Sequence, residues 1–110
     1  MSTSYIDSVI DVVRLIPAGR VTSYGAIADF LSLGSARMVG WALNKSGIND
    51  QTIPAHRVVN SKGVLTGRLA FKEPTYMKRT LTKEGVKIEG HKVVDFKTLH
   101  WHPEEMLKYE

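Results

Sequence analysis

The chain is expected to fold as a mostly helical α+β domain, a single unit over residues 1–110. Three observations carry this expectation. Apolar residues recur at helical spacing near the start, a Gly-containing turn separates two further helical segments, and short β-branched runs occur later. With 110 residues and 43% hydrophobic content, there is material for one core and too little for two.

The first segment, Tyr5 to Ile16, places Ile6, Val9, Ile10, Val13 and Ile16 on one helical face, and Pro17-Ala18-Gly19 ends it. Arg20-Val21-Thr22 reads as a short extended stretch. Thr22 or Ser23 can cap a second helix through Leu31, with Ile27, Ala28 and Leu31 turned inward. After a turn at Leu33-Gly34, Ser35 can cap a third helix to about Lys45, its buried stripe formed by Val39, Ala42 and Leu43. A polar loop, 47 to 52, follows. Tyr76 to Glu84 reads as a helix ended by Gly85, and Val86-Lys87-Ile88 as a strand. The core spans about 5–90. The tail, about 91–110, is aromatic from Phe96 and is expected to pack on the surface.

Fifteen Lys and Arg against eleven Asp and Glu give a net charge of +4, which suits a polyanionic partner without requiring one. Zero cysteines exclude disulfides, thiolate metal sites and a thiol nucleophile. His91, His100 and His102 show no metal-ligand spacing with carboxylates, so neither a metal nor a cofactor is expected. No apolar run reaches the length of a membrane span, and the first residues, MSTSYIDSVIDVV, lack a secretory pattern. A cytoplasmic, monomeric protein is expected.

The second and third helices resemble a helix-turn-helix, the third carrying Arg37, Trp41, Asn44 and Lys45 outward. A plain αα-hairpin with a solvated basic face fits the same spacing. Ala36 and Gly40 flank Arg37 with almost no side chain, which suits close approach to a minor groove with one long cation inserted. Tyr24 can press on a backbone phosphate or sit half-buried in the core. Trp41 can face a groove or anchor the core.

Residues 53 to 59 read IPAHRVV. A His and an Arg at a strand entrance suit reactive chemistry, yet Ala55, best placed to react, has no functional group. With IPAGRVTSYGAIADFL, SARMVGWAL and NSKGVLTGR, this stretch resembles the O6-alkylguanine DNA alkyltransferases, which read PCHRV where this chain reads PAHRV. It resembles most the alkyltransferase-like branch, in which the acceptor cysteine is replaced. The likeness covers about residues 5 to 90.

The resemblance implies a fold like the C-terminal domain of those enzymes, and a role for each matching residue. Tyr24 would rotate the target phosphate and line the pocket. Arg37 would fill the gap in the base stack. Ala36, Met38, Gly40 and Trp41 would lie against the minor groove, and Ser61 would meet a phosphate. Pro54, Ala55, His56, Arg57 and Val58 would form the lesion pocket, Arg68 would reach the flipped base, and Val64 to Gly67 would wall the pocket. The enzymes orient their histidine with a glutamate. None is assigned here: Glu73, in LAFKE, is disfavoured by the register counted back from Lys83-Glu84-Gly85, and Pro74 ends any helix starting just before it.

Dealkylation needs a nucleophile that keeps the alkyl group, and a thiolate is suited to it. Ala55 cannot accept the group, so no catalytic residue is expected. The expectation is non-enzymatic recognition of O6-alkylguanine in double-stranded DNA by nucleotide flipping, flagging lesions for nucleotide excision repair proteins. Two alternatives are a helix-turn-helix transcription factor reading undamaged DNA, and an enzyme using His56 and Arg57 on another substrate.

Overall fold

The computed structural model describes residues 4–109. Helix α1 runs Tyr5–Arg14, started by Ser4, whose hydroxyl accepts from the Asp7 amide at 3.2 Å. It stops short of Ile16 because the amides of Leu15 and Ile16 bond three residues back, to Val12 and Val13, tightening the last turn. Ile16 is nonetheless buried with Val9, Ile10, Val12 and Val13. Each fully buried aliphatic side chain of this kind stabilises the fold by about 1.5–3 kcal/mol.

Strand β1, Thr22–Ser23, leads directly into α2, Tyr24–Phe30, and the Ser23 hydroxyl caps it by accepting from the Ala26 amide at 3.0 Å. The turn out of α2 differs from the expected Leu33-Gly34. Ser32 takes the left-handed conformation, at φ 57°, while its amide bonds Asp29 and that of Leu33 bonds Ala28. This six-residue closure needs its left-handed residue just past the helix, and that place falls on Ser32. Helix α3, Ala36–Ser46, packs on both α1 and α2 through Val39, Ala42 and Leu43. Ser35 stands at its N-cap position, but its hydroxyl makes no capping bond.

A single 3₁₀ turn, Ala55–Arg57, precedes β2, Val58–Val59, which pairs parallel with β1 in the register Thr22↔Val58 and Ser23↔Val59. A second 3₁₀ turn covers Thr66–Ala70. Helix α4, Tyr76–Lys83, ends with Gly85 at φ 91°, its amide on Thr82 and the Val86 amide on Leu81. Val86 therefore belongs to the helix cap and not to a strand, because its N–H is already spent on the helix. The strand lies one step further on. β3, Ile88–Glu89, forms an antiparallel hairpin with β4, Lys92–Val93.

The tail does more than cover the surface. After α5, Phe96–Leu99, the chain bridges in parallel to Val21, with the Val21 amide on the Leu99 carbonyl and the Trp101 amide on the Val21 carbonyl at 2.7 Å. Trp101 is 4% exposed and sits in the same core as α1 and α3. Its indole supplies apolar area that the short strands cannot.

Candidate nucleic-acid interface

The parallel β1–β2 register sets the Ala55–Arg57 turn beside the chain that leaves α1. Glu84, at the end of α4, joins the two. Its carboxylate accepts from His56 Nε2 at 2.8 Å, from Arg57 Nη2 at 2.7 Å and from the Gly19 amide at 3.3 Å. Arg57 also donates to the Ile16 carbonyl at 2.8 Å. Burial alone would raise the Glu84 pKa, but the bonds from Arg57, His56 and Gly19 outweigh it and hold the carboxyl at about 2. His56 is pushed below its ordinary value by burial, against the pull of Glu84. The result is a neutral imidazole and a fixed ionised carboxylate.

Glu84 is the histidine partner that could not be assigned from the chain alone. Glu73, in contrast, reaches Arg79 on an exposed surface. A signal for Glu84 was present. A carboxylate at a helix C-terminus opposes the helix dipole, and its presence beside Gly85 points to cations elsewhere that hold it.

In front of this network lies a cavity of about 220 Å³. Ala55 forms part of its floor at 3% exposure, and Leu43, Ile48, Phe71 and Met77 supply apolar walls. Gly40 and Asn44 close one side from α3, while Thr66, Gly67 and Ala70 close another. Tyr24 reaches in from the start of α2. Burial raises its phenol pKa, partly offset by a hydrogen bond with Thr66. A Cβ at Gly67 would stand 2.6 Å from the Tyr24 hydroxyl, so any side chain there displaces the phenol.

Sharing Tyr24, Gly40 and Asn44 with the cavity, a shallow trough of about 400 Å³ runs along the outer face of α3, lined also by Ala36, Arg37 and Trp41. A Cβ on Gly40 would meet nothing within 4 Å, so no internal packing demands a glycine there. Arg37 is exposed and makes no ion pair among the described residues. Trp41 is 57% exposed, so it is no core anchor.

The structure thus gathers Tyr24, Gly40 and Ala55 around the cavity, and Ala36, Arg37 and Trp41 beside its mouth. It does not bring the other expected residues to the cavity wall. His56 and Arg57 lie behind Ala55, turned to Glu84. Val58 is wholly buried in β2, and Pro54 is buried just ahead of Ala55. Arg68 is half-buried and donates to the Leu65 carbonyl at 3.1 Å. Met38 is half-buried on α3, and Ser61 is exposed in the turn after β2. Of the expected wall, Val64 to Gly67, Thr66 and Gly67 line the cavity. Phe71 and Met77 were not anticipated, because nothing in their local sequence distinguishes wall from core.

Residues 4–86 match the family model described as 6-O-methylguanine DNA methyltransferase, DNA binding domain. The chain belongs to this family. It is 35% identical over 95 residues to alkyltransferase-like protein 1 of Schizosaccharomyces pombe, covering 84% of this chain and 86% of that protein. It is 33% identical over 100 residues to the DNA base-flipping protein of Escherichia coli, covering 90% of this chain and 75% of that protein. Among solved structures it is similar to S. pombe Atl1 in complex with damaged DNA containing O6-carboxymethylguanine. The TM-score is 0.77 at 32% identity, over 94% of this chain and all of that one. It is also similar to Mycobacterium tuberculosis OGT in complex with DNA, with a TM-score of 0.65 at 33% identity, over 76% of this chain and 51% of that one. The fold described above is that of the family, and the chain falls with its alkyltransferase-like relatives.

Proposed function

We propose that this chain recognises O6-alkylguanine in double-stranded DNA, holds the flipped nucleotide in the cavity over Ala55, and leaves the alkyl group on the base. The observation that carries the reading is the floor of the cavity. A methyl group stands where the family's PCHRV motif places its acceptor thiol, and the chain has no cysteine elsewhere. The trough on α3 supports minor-groove docking, since small residues surround one long unpaired cation. The uncapped first turn of α3 supports a phosphate at its N–H groups. His56, buried and bonded to Glu84 behind Ala55, offers no acceptor to a bound base.

Extruding a base costs a few kcal/mol, least where pairing is weakened, as it is opposite an alkylated guanine. The alanine floor leaves room beside the O6 substituent. A protein that holds an adduct it cannot remove needs another activity to excise it, and we assign that step to nucleotide excision repair proteins meeting a cytoplasmic, monomeric DNA complex. The test uses matched duplexes with and without one O6-methylguanine, the methyl carrying a radiolabel. The modified duplex is expected to bind more tightly and to retain all its label. Label on the protein, at any residue, would falsify the reading.

The cavity wall offers a second check. Gly67→Ala must push the Tyr24 ring aside, which should weaken binding to the modified duplex several-fold while the melting temperature moves by only a few degrees. Unchanged affinity would mean that the Tyr24 hydroxyl has no part in holding the nucleotide.

A further inference from the structure

Three lysines from two stretches of the chain, Lys62 in one and Lys92 with Lys97 in the other, converge on one groove that no α3 residue lines. Lys62 lies in the turn after β2, Lys92 in β4 and Lys97 in α5, and together with Ser61, Asp95 and Phe96 they line a depression of about 490 Å³. Specific contacts hold them there. The Asn60 side chain accepts from the amides of Lys62 and Val64 at 2.9 and 2.8 Å, closing the turn with Ser61 and Lys62 at its tip. The hairpin is pinned to this turn by the Val64↔Lys92 bridge and by the Val93 amide on the Gly63 carbonyl at 2.9 Å. Phe96 lies so close over Gly63, which has φ 82°, that a Cβ there would stand 3.0 Å from its ring. That contact seats α5, and with it Lys97, against the turn.

The three ammonium groups are exposed, and among the described residues none has an ion-pair partner. Asp95 lines the same groove, and Glu89 stands opposite Lys92 in the hairpin, so cations outnumber carboxylates without being neutralised. The segment that carries Lys62 continues to Thr66 and Gly67 on the cavity wall. Four residues span at most about 14 Å. On a duplex, with about 3.4 Å of axis per phosphate on each strand, that keeps the Lys62 backbone within about four phosphates of the cavity wall.

We propose that this groove is a second phosphate-contact surface, gripping the backbone of the same duplex beyond the reach of α3. The proposal rests on the DNA-binding reading above. Its occupant is double-stranded DNA, because three unpaired ammonium groups, with Lys62 no more than about four phosphates from the cavity wall, match a continuous polyanion. Each neutralised phosphate contributes about −0.9 to the slope of log K against log salt.

The test compares the unmodified chain with Lys62→Gln/Lys92→Gln/Lys97→Gln on a long duplex carrying one O6-methylguanine, titrated across salt concentrations. Substitution at these exposed sites leaves the fold intact, which circular dichroism verifies. The slope is expected to become shallower by about 2.7, or 0.9 per lysine, with the preference for modified over unmodified DNA unchanged. A control, Lys78→Gln/Lys83→Gln on α4, is expected to change the slope far less per lysine. An unchanged slope in the triple variant, or an equal loss per lysine in the control, overturns the groove while leaving the cavity reading standing. Failure of the unmodified chain to bind DNA overturns both.

Discussion

Glu84→Ala should reduce unfolding free energy by about 3–5 kcal/mol, the cost of leaving the largely buried Arg57 cation without its counter-ion. The Glu84 side chain is 14% exposed, and those of His56 and Arg57 are 9% and 17% exposed, so water cannot readily replace the lost carboxylate. The Gly19 amide loses its acceptor in the same step. Urea denaturation at neutral pH measures the effect. A loss below about 1 kcal/mol, the level of an exposed ion pair, would show that the network is open to solvent.

The same carboxylate sets an acid limit. Its folded pKa of about 2 lies below the unfolded value of 4.5, so its contribution is complete above about pH 4.5 and disappears as pH falls toward 2. The span is about 3 kcal/mol by linkage. His56 acts earlier and in the same direction. Because its folded pKa is depressed, the unfolded chain takes up the proton first, and stability begins to erode below about pH 6.5.

The second large effect concerns two arginines with different surroundings. Arg37→Ala should weaken binding to every duplex by about ten- to a hundredfold, equivalent to about 1–3 kcal/mol, because an inserted cation supports the stack whenever a nucleotide leaves it. The loss should shrink on DNA with an abasic site facing Arg37, where less unstacking is needed. Arg68→Ala should act mainly on discrimination. Arg68 is anchored to its own turn through Leu65, so releasing that bond for a base edge is worthwhile only when the cavity is filled. Titrations of both variants against guanine, O6-methylguanine and a bulkier O6-adduct separate the two roles. Equal weakening of all three by Arg68→Ala would make it another phosphate contact.

Much of the scaffold was legible because its determinants are local. The spacing of Val9, Ile10 and Val13, the cap at Ser23 and the glycine at 85 act within one or two turns. The α3 face was readable for the same reason, since Ala36, Arg37, Gly40 and Trp41 share one side by period alone. What escaped was long-range. Glu84 meets His56 from 28 residues away, and β1 meets β2 across a parallel crossover that two-residue strands do not advertise. The strand expected at Val86-Lys87-Ile88 falls instead at Ile88–Glu89, because Val86, though β-branched, sits at the place where the α4 cap spends its amide. The cavity lining mixes residues from five separate segments, and only the family motif made Tyr24 and Ala55 stand out together. Composition could not show that Trp101 is core, since an aromatic in a polar tail reads equally as surface cover.

The Val21–Trp101 bridge bears on how the chain leaves the ribosome. Val21 must wait for partners 80 residues downstream, which at 5–20 residues per second means about 4–16 s of synthesis. Until then α1, α2 and α3 can pack locally, but the site that Trp101 fills stays open to water. The final closure therefore follows translation of residue 101, and a nascent chain stalled earlier would present an apolar gap to chaperones.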